Sequence, residues 1–257
     1  MSGKPILKCR INGYCLDLIE YKGKLVSAEG ADGVAVYDAG NLTELCRLKF
    51  GCGKSVRQII GCGNVLVAEL GCRSIQAIRI DEIDGKIALV PVGVRIETGL
   101  LYYRHLSETL AEKYVIANPL AYGPTLFEVD EKTGLKDVGL SLKLISCPFE
   151  EGACGYNNGI IVIRDKKYYY IDNPRDIAEL PDPIEVKGSA LCGRPFVCEN
   201  KLVLLNRIGG VTEITDVSDP MRPRFVKSLN TGLRPEFVSD VDGELLIACG
   251  RGGIIRL

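Results

Sequence analysis

Short apolar runs separated by polar turns recur along the whole chain. The clearest unit spans residues 201–229, KLVLLNRIGGVTEITDVSDPMRPRFVKSL. Its apolar–polar alternation and its turn residues predict three strands, over 201–206, 210–216 and 223–229. Arg207-Ile208-Gly209-Gly210 joins the first two, and Val217-Ser218-Asp219-Pro220 joins the last two. The run Leu202-Val203-Leu204 has counterparts at Lys24-Leu25-Val26, Val65-Leu66-Val67, Tyr114-Val115-Ile116, Ile160-Ile161-Val162 and Leu245-Leu246-Ile247. These copies recur about every 40 to 50 residues, a period that marks a repeat architecture. Turn signals precede them, among them Asn158-Gly159 and Asp242-Gly243. Asn-Gly and Asp-Gly supply the positive φ that tight hairpins need.

A further strand is expected after each copy, over residues 33–38, 75–81, 125–130, 167–172, 211–216 and 254–257. All but the last end in an Asp, whose carboxylate accepts backbone N–H groups where the chain turns. Outer strands are expected over 43–50, 86–93, 135–142, 183–187 and 223–229. Helix signals are almost absent; 108–113 is the best candidate, and strand and turn account for it. The last unit lacks an outer strand, and the N-terminal run ILKCRI, residues 6–11, has no partner. The expectation is therefore an all-β chain forming one domain over residues 1–257. It is a six-bladed β-propeller of four-stranded antiparallel blades, with the N-terminal strand closing the last blade. Seven blades is the main alternative.

One segment carries a resemblance. Residues 210–223, GVTEITDVSDPMRP, resemble the LVIVD-repeat β-propellers: a Gly, an alternating strand ending in an Asp-Val-Ser-Asp-Pro turn, and a Pro entering the next strand. GVAVYD (33–38) and KYYYIDNP (167–174) are weaker copies. The resemblance implies the propeller architecture and little about activity. Many members of that group are similar to secreted or surface proteins, whereas the N-terminus here, MSGKPILKCR, lacks an export signal.

Composition narrows the classes. Net charge is −1, so no bulk field points to nucleic acid or membrane. No stretch reaches the roughly 18–20 apolar residues of a spanning helix, and a cytoplasmic location is expected. The 11 cysteines are many for such a chain. Small secreted domains and proteins of hyperthermophiles are the settings that favour disulfides. Two Met and one His fit a thermophilic composition.

Repetition also sorts the charges. In a propeller blade, the entrance to the innermost strand and the loop between strands two and three share one end. The other two loops share the opposite end. Lys54, Arg104, Arg194, Arg207, Arg234 and Arg251 fall on the first end, with Tyr103 beside them; Asp38, Asp130, Asp216, Asp219 and others fall on the second. Arg forks match carboxylates and phosphates. The expected function is a non-catalytic interaction scaffold whose Arg-rich end receives an acidic protein segment or another anionic partner. The alternatives are a small-molecule enzyme or binder at the channel mouth, near Tyr103, Arg104 and His105, and then nucleic-acid binding. Local ion pairing of the arginines is the competing structural explanation.

Other candidates carry less. FGCGKS (50–55) lacks the earlier Gly of a phosphate loop, since Leu48 stands there, and strands follow it instead of a helix. Cys52, Cys62 and Cys72 are ten apart, but Cys62 is placed at the opposite end of its hairpin, so no zinc site is expected. Cys52 and Cys72 face each other across that hairpin, as a disulfide or a close thiol pair. No cofactor and no metal are expected.

Overall fold

A computed structural model describes residues 15–51, 53–71, 74–97, 103–109, 113–119, 125–138, 151–172, 180–231, 235, 237–241, 244–248 and 254–256. Within them every regular element is a β-strand. The first sheet comprises β1 (Asp17–Tyr21), β2 (Lys24–Ala28), β3 (Val34–Asp38) and β4 (Glu44–Leu48). The second comprises β5 (Val56–Cys62), β6 (Val65–Leu70), β7 (Ser74–Ile83) and β8 (Lys86–Glu97). The third comprises β9 (Tyr103–Thr109), β10 (Tyr114–Pro119), β11 (Thr125–Asp130) and β12 (Gly134–Asp137). The fourth has three strands, β13 (Gly152–Tyr156), β14 (Gly159–Arg164) and β15 (Lys167–Ile171). The fifth comprises β16 (Arg194–Cys198), β17 (Lys201–Asn206), β18 (Val211–Asp216) and β19 (Arg224–Asn230). The sixth has β20 (Phe237–Val241), β21 (Glu244–Ala248) and β22 (Ile254–Arg256).

In all six sheets the spatial order of the strands is their order in sequence. Two-residue turns make this meander. Lys22-Gly23 connects Tyr21 to its partner Lys24, with φ of 51° and 71°. Asp84-Gly85 repeats that geometry with φ of 51° and 71° between the partners Ile83 and Lys86. The right-handed twist of paired strands favours turns of this hand.

The chain divides into two compact units, residues 1–106 with 127–137, and residues 107–126 with 138–257. In the first, Val26, Ala28, Val34 and Val36 of sheet one pack against Ile59, Leu66, Ala68 and Ile78 of sheet two. Val65, Ala77 and Val92 then meet Val129 and Leu135. In the second, Tyr114, Ile116 and Leu126 pack on Ala153, Ile160 and Val162. Cys154, Ile161 and Tyr168 pack on Leu202 and Leu204, and Val203, Leu205 and Ile214 pack on Val238, Leu245 and Ile247. Within each unit, neighbouring sheets therefore pack face to face. That explains why β6 and β14 are buried along almost their whole length: their two faces meet different neighbours.

Three expectations change. The strand expected over 86–93 continues to Glu97, because Gly93 (φ 65°) bends the chain inside β8 and does not end it. Asp81 does not mark a turn: β7 runs on to Ile83, and Asp81 instead pairs with Arg79 on the same strand. The outer strand expected over 183–187 is reduced to one bridge, Ile184 N–H donating to the Tyr168 carbonyl at 2.8 Å. Pro181 and Pro183 cannot donate to a ladder, which explains the loss. The Asp turns at 38, 130 and 216 form as expected, each accepting backbone N–H groups from the residues that follow. Among the described residues no helix is long and apolar enough to cross a membrane. The N-terminal strand over 6–11, Cys52 and Cys72 lie outside the described residues.

Candidate functional site

The second unit brings two of the expected cations to one end of one sheet. Arg194 opens β16 and is paired with Leu205 of β17. Arg207 begins the turn between β17 and β18, two residues further on. The approach is close: a Cβ on Gly193 would lie 2.8 Å from the Asn206 nitrogen, so the chain enters β16 hard against the end of β17. Asn206 fixes the turn. Its Oδ1 accepts from Gly209 N–H at 2.7 Å, and its Nδ2 donates to Cys192 Sγ at 3.2 Å.

The Arg194 guanidinium lies over two rings, 5.1 Å from the centroid of Phe196 and 5.2 Å from that of Phe237. The rings are edge-to-face, with centroids 6.1 Å apart. Stacking holds the guanidinium plane, so part of the ordering cost of a fork-to-carboxylate contact is already met. Ile208, between Arg207 and the glycines of the turn, is 70% exposed. This end therefore combines two cations with an exposed aliphatic side chain. Arg164, the last residue of β14, is engaged locally, its Nε 3.3 Å from Asp165 Oδ2.

Lys54 belongs to the first unit. Its Nζ lies 3.3 Å from Glu97 Oε1 and 3.3 Å from Ser74 Oγ. Arg95 Nη2 shares the same carboxylate at 2.8 Å, and the two cations hold the Glu97 carboxyl below its ordinary range. Glu97 escapes a reading that stops the outer strand at Gly93. For Tyr103 and Arg104 the backbone lies in β9 and the side chains are outside the description, as are Arg234 and Arg251 altogether.

Glu29, the residue after β2, is buried. Its Oε1 accepts from Ser27 Oγ and Tyr37 Oη, each at 2.6 Å, and its Oε2 accepts from Arg47 Nη1 at 2.6 Å. Burial pushes its pKa up, and these hydrogen bonds with the Arg47 charge outweigh that and hold it below the ordinary value. Arg47 also binds Glu44. Glu213 behaves similarly: it accepts from Ser189 Oγ at 2.6 Å and from the N–H groups of Ala190 and Leu191 at 3.0 and 3.2 Å. It pins the loop leading into β16. Both carboxylates are committed to structure. Asp17 links strands: its Oδ2 accepts Ile59 N–H at 3.0 Å, and burial pushes its pKa up to about 6.

The described cysteines Cys15, Cys46, Cys62, Cys154, Cys192 and Cys198 are in no disulfide. Cys62 is buried as the last residue of β5, with the turn itself at Gly63-Asn64. Among the described residues no three His, Cys, Asp or Glu side chains are grouped to hold a metal ion.

No protein-family profile matches the sequence, and no curated protein is similar to it. Solved structures are. A Cps50 (Swd1) β-propeller domain from Myceliophteria thermophila superposes with a TM-score of 0.65 at 14% identity, over 96% of this chain and 87% of that one. A putative 6-phosphogluconolactonase from Bacteroides fragilis superposes with a TM-score of 0.67 at 15% identity, over 94% and 79% of the two chains. BamB from Moraxella catarrhalis gives 0.54 at 12% identity, over 96% and 84%. At such identities the likeness concerns the fold alone. Together with the repeated meander sheets it supports a β-propeller fold.

Proposed function

We propose that this protein is a non-catalytic interaction scaffold, a β-propeller that receives an acidic protein segment on the end carrying Arg194 and Arg207. The observation that carries this reading is the Arg194 guanidinium lying over Phe196 and Phe237 beside the Arg207 turn. A planar fork over two rings suits a carboxylate pair-wise, and Ile208 offers an apolar contact next to it. Arg234 and Arg251, of the same unit, are the further candidate contacts in this reading.

The test is a fluorescence-polarisation titration with a labelled peptide of alternating Glu and Leu. Arg194→Glu and Arg207→Glu should each weaken binding by about tenfold or more. Lys136→Glu, at an exposed position of β12 in the first unit, should not change it. Affinities unchanged by both Arg substitutions would overturn the proposal.

The same reading makes the fold a six-bladed, LVIVD-like propeller, with residues 6–11 as the outer strand beside β22. Removing residues 1–13 should then lower the unfolding midpoint by about 5 °C or more. An unchanged midpoint would count against the closure.

A further inference from the structure

The opposite end of the fifth sheet holds a cavity of about 430 Å³. That is within the usual size range of small-molecule sites. Its apolar surface comes from Ile214 of β18, Val226 of β19 and Leu245 of β21; Lys201 and Lys227 supply its cations. Ile214 and Leu245 are each only 3% exposed, so they form its floor, while Val226 is 56% exposed and forms a side.

A bulge builds this wall. Along β18 and β19, Ile214 is partnered by Lys227 and Thr215 by Phe225, which leaves Val226 as the extra residue. Strict alternation would send Val226 and Lys227 to opposite faces of the sheet. The bulge re-aims the strand, so both line the cavity. The far wall is fixed as well: Asn200 Oδ1 accepts from Tyr156 Oη at 2.8 Å, and Val217 N–H donates to the Asn200 carbonyl at 2.8 Å.

The charges are not balanced internally. Asp216 is already occupied, accepting from Ser218 N–H at 2.9 Å and pairing with Arg224 at 2.9 Å. Lys201 and Lys227 form no ion pair among the described residues. Glu199, in the turn before β17, is the remaining acid of the lining and is exposed. Once the Asp216–Arg224 pair is set aside, two ammonium groups and one solvated carboxylate surround an apolar floor.

We infer that this cavity binds a small amphipathic carboxylate. Its head group lies between Lys201 and Lys227, and its hydrocarbon body lies on Ile214, Val226 and Leu245. The site is distinct from the Arg194–Arg207 surface, since turns at opposite ends of the same strands build the two.

Octanoate is the probe, with octylammonium and octanol as controls, in isothermal titration of the full chain. Octanoate should bind, and the two controls should bind about tenfold more weakly or not at all. Lys201→Glu and Lys227→Glu should each weaken octanoate by about tenfold or more. Val226→Asp, a change at an exposed position, should do the same while leaving the unfolding midpoint in place. Equal binding of octanoate and octylammonium would overturn the inference, because the head group would then contribute nothing. Absence of octanoate binding, or octanoate binding that all three substitutions leave unchanged, would overturn it too. The acidic-peptide titration should be unaffected by these three substitutions, so failure here and failure of the scaffold reading can be told apart.

Discussion

Replacing Glu29 with Ala is expected to lower the unfolding midpoint by roughly 6–12 °C. The side chain is buried at the end of β2 and accepts from three donors, Ser27, Tyr37 and Arg47. Its loss leaves two hydroxyls and one face of the Arg47 guanidinium without their acceptor in a closed site. Breaking a buried pair costs about 3–5 kcal/mol. The lower figure applies here, because Arg47 keeps Glu44 and is 17% exposed on its side chain. About 3 kcal/mol corresponds to the stated range for a chain of this size. Glu44→Ala is the control and should cost no more than about 1 kcal/mol, as an exposed pair. The effect has a pH signature. Because folding lowers the Glu29 pKa, its contribution is complete above the ordinary carboxyl value of about 4.3. It is lost as pH falls through the lowered value. The gap between wild type and Glu29→Ala should therefore be constant near neutrality and close in acid. Thermal unfolding followed by circular dichroism from pH 7 to pH 3 would measure it; a gap as wide at pH 3 as at pH 7 would contradict the assignment.

Gly33→Ala is expected to cost about 3–5 kcal/mol, the second large effect. Gly33 has φ of 91°, where a side chain is disfavoured, and a Cβ there would lie 1.9 Å from the Leu48 carbonyl oxygen. That oxygen belongs to backbone at the end of β4, so relief requires moving the strand. Gly85 separates the two causes. It has φ of 71°, and a Cβ on it would meet no atom within 4 Å. Gly85→Ala should cost only the conformational part, about 1–2 kcal/mol. Equal losses in a chemical-denaturation comparison would mean that the contact with Leu48 carries no weight.

The strands were legible because each apolar run ends in a turn that only a few residues tolerate. The turns Lys22-Gly23 and Glu199-Asn200 stand directly before the apolar runs that open at Lys24 and Lys201. The bulges were not legible. Val226 and Gly93 sit within strands of ordinary composition, and nothing local distinguishes an extra residue from a paired one. Missing the bend at Gly93 hid Glu97, and with it the partner of Lys54. Assigning loops to ends by strand order found Arg194 and Arg207 together, since antiparallel connection alone determines that. It could not reveal the rings beneath Arg194, because Phe237 arrives from the next sheet. Glu29 and Glu213 were also hidden. A carboxylate within a strand or just past its end reads as a surface charge until the donors that surround it are known.

The central claim is that an acidic segment docks on the Arg194–Arg207 end. Hydrogen–deuterium exchange with and without the Glu/Leu peptide tests it most directly. The account predicts slowed exchange at residues 193–196 and 207–211, with no change at 199–201 and 216–220. Protection confined to the second pair of segments, or none at all at saturating peptide, would contradict it.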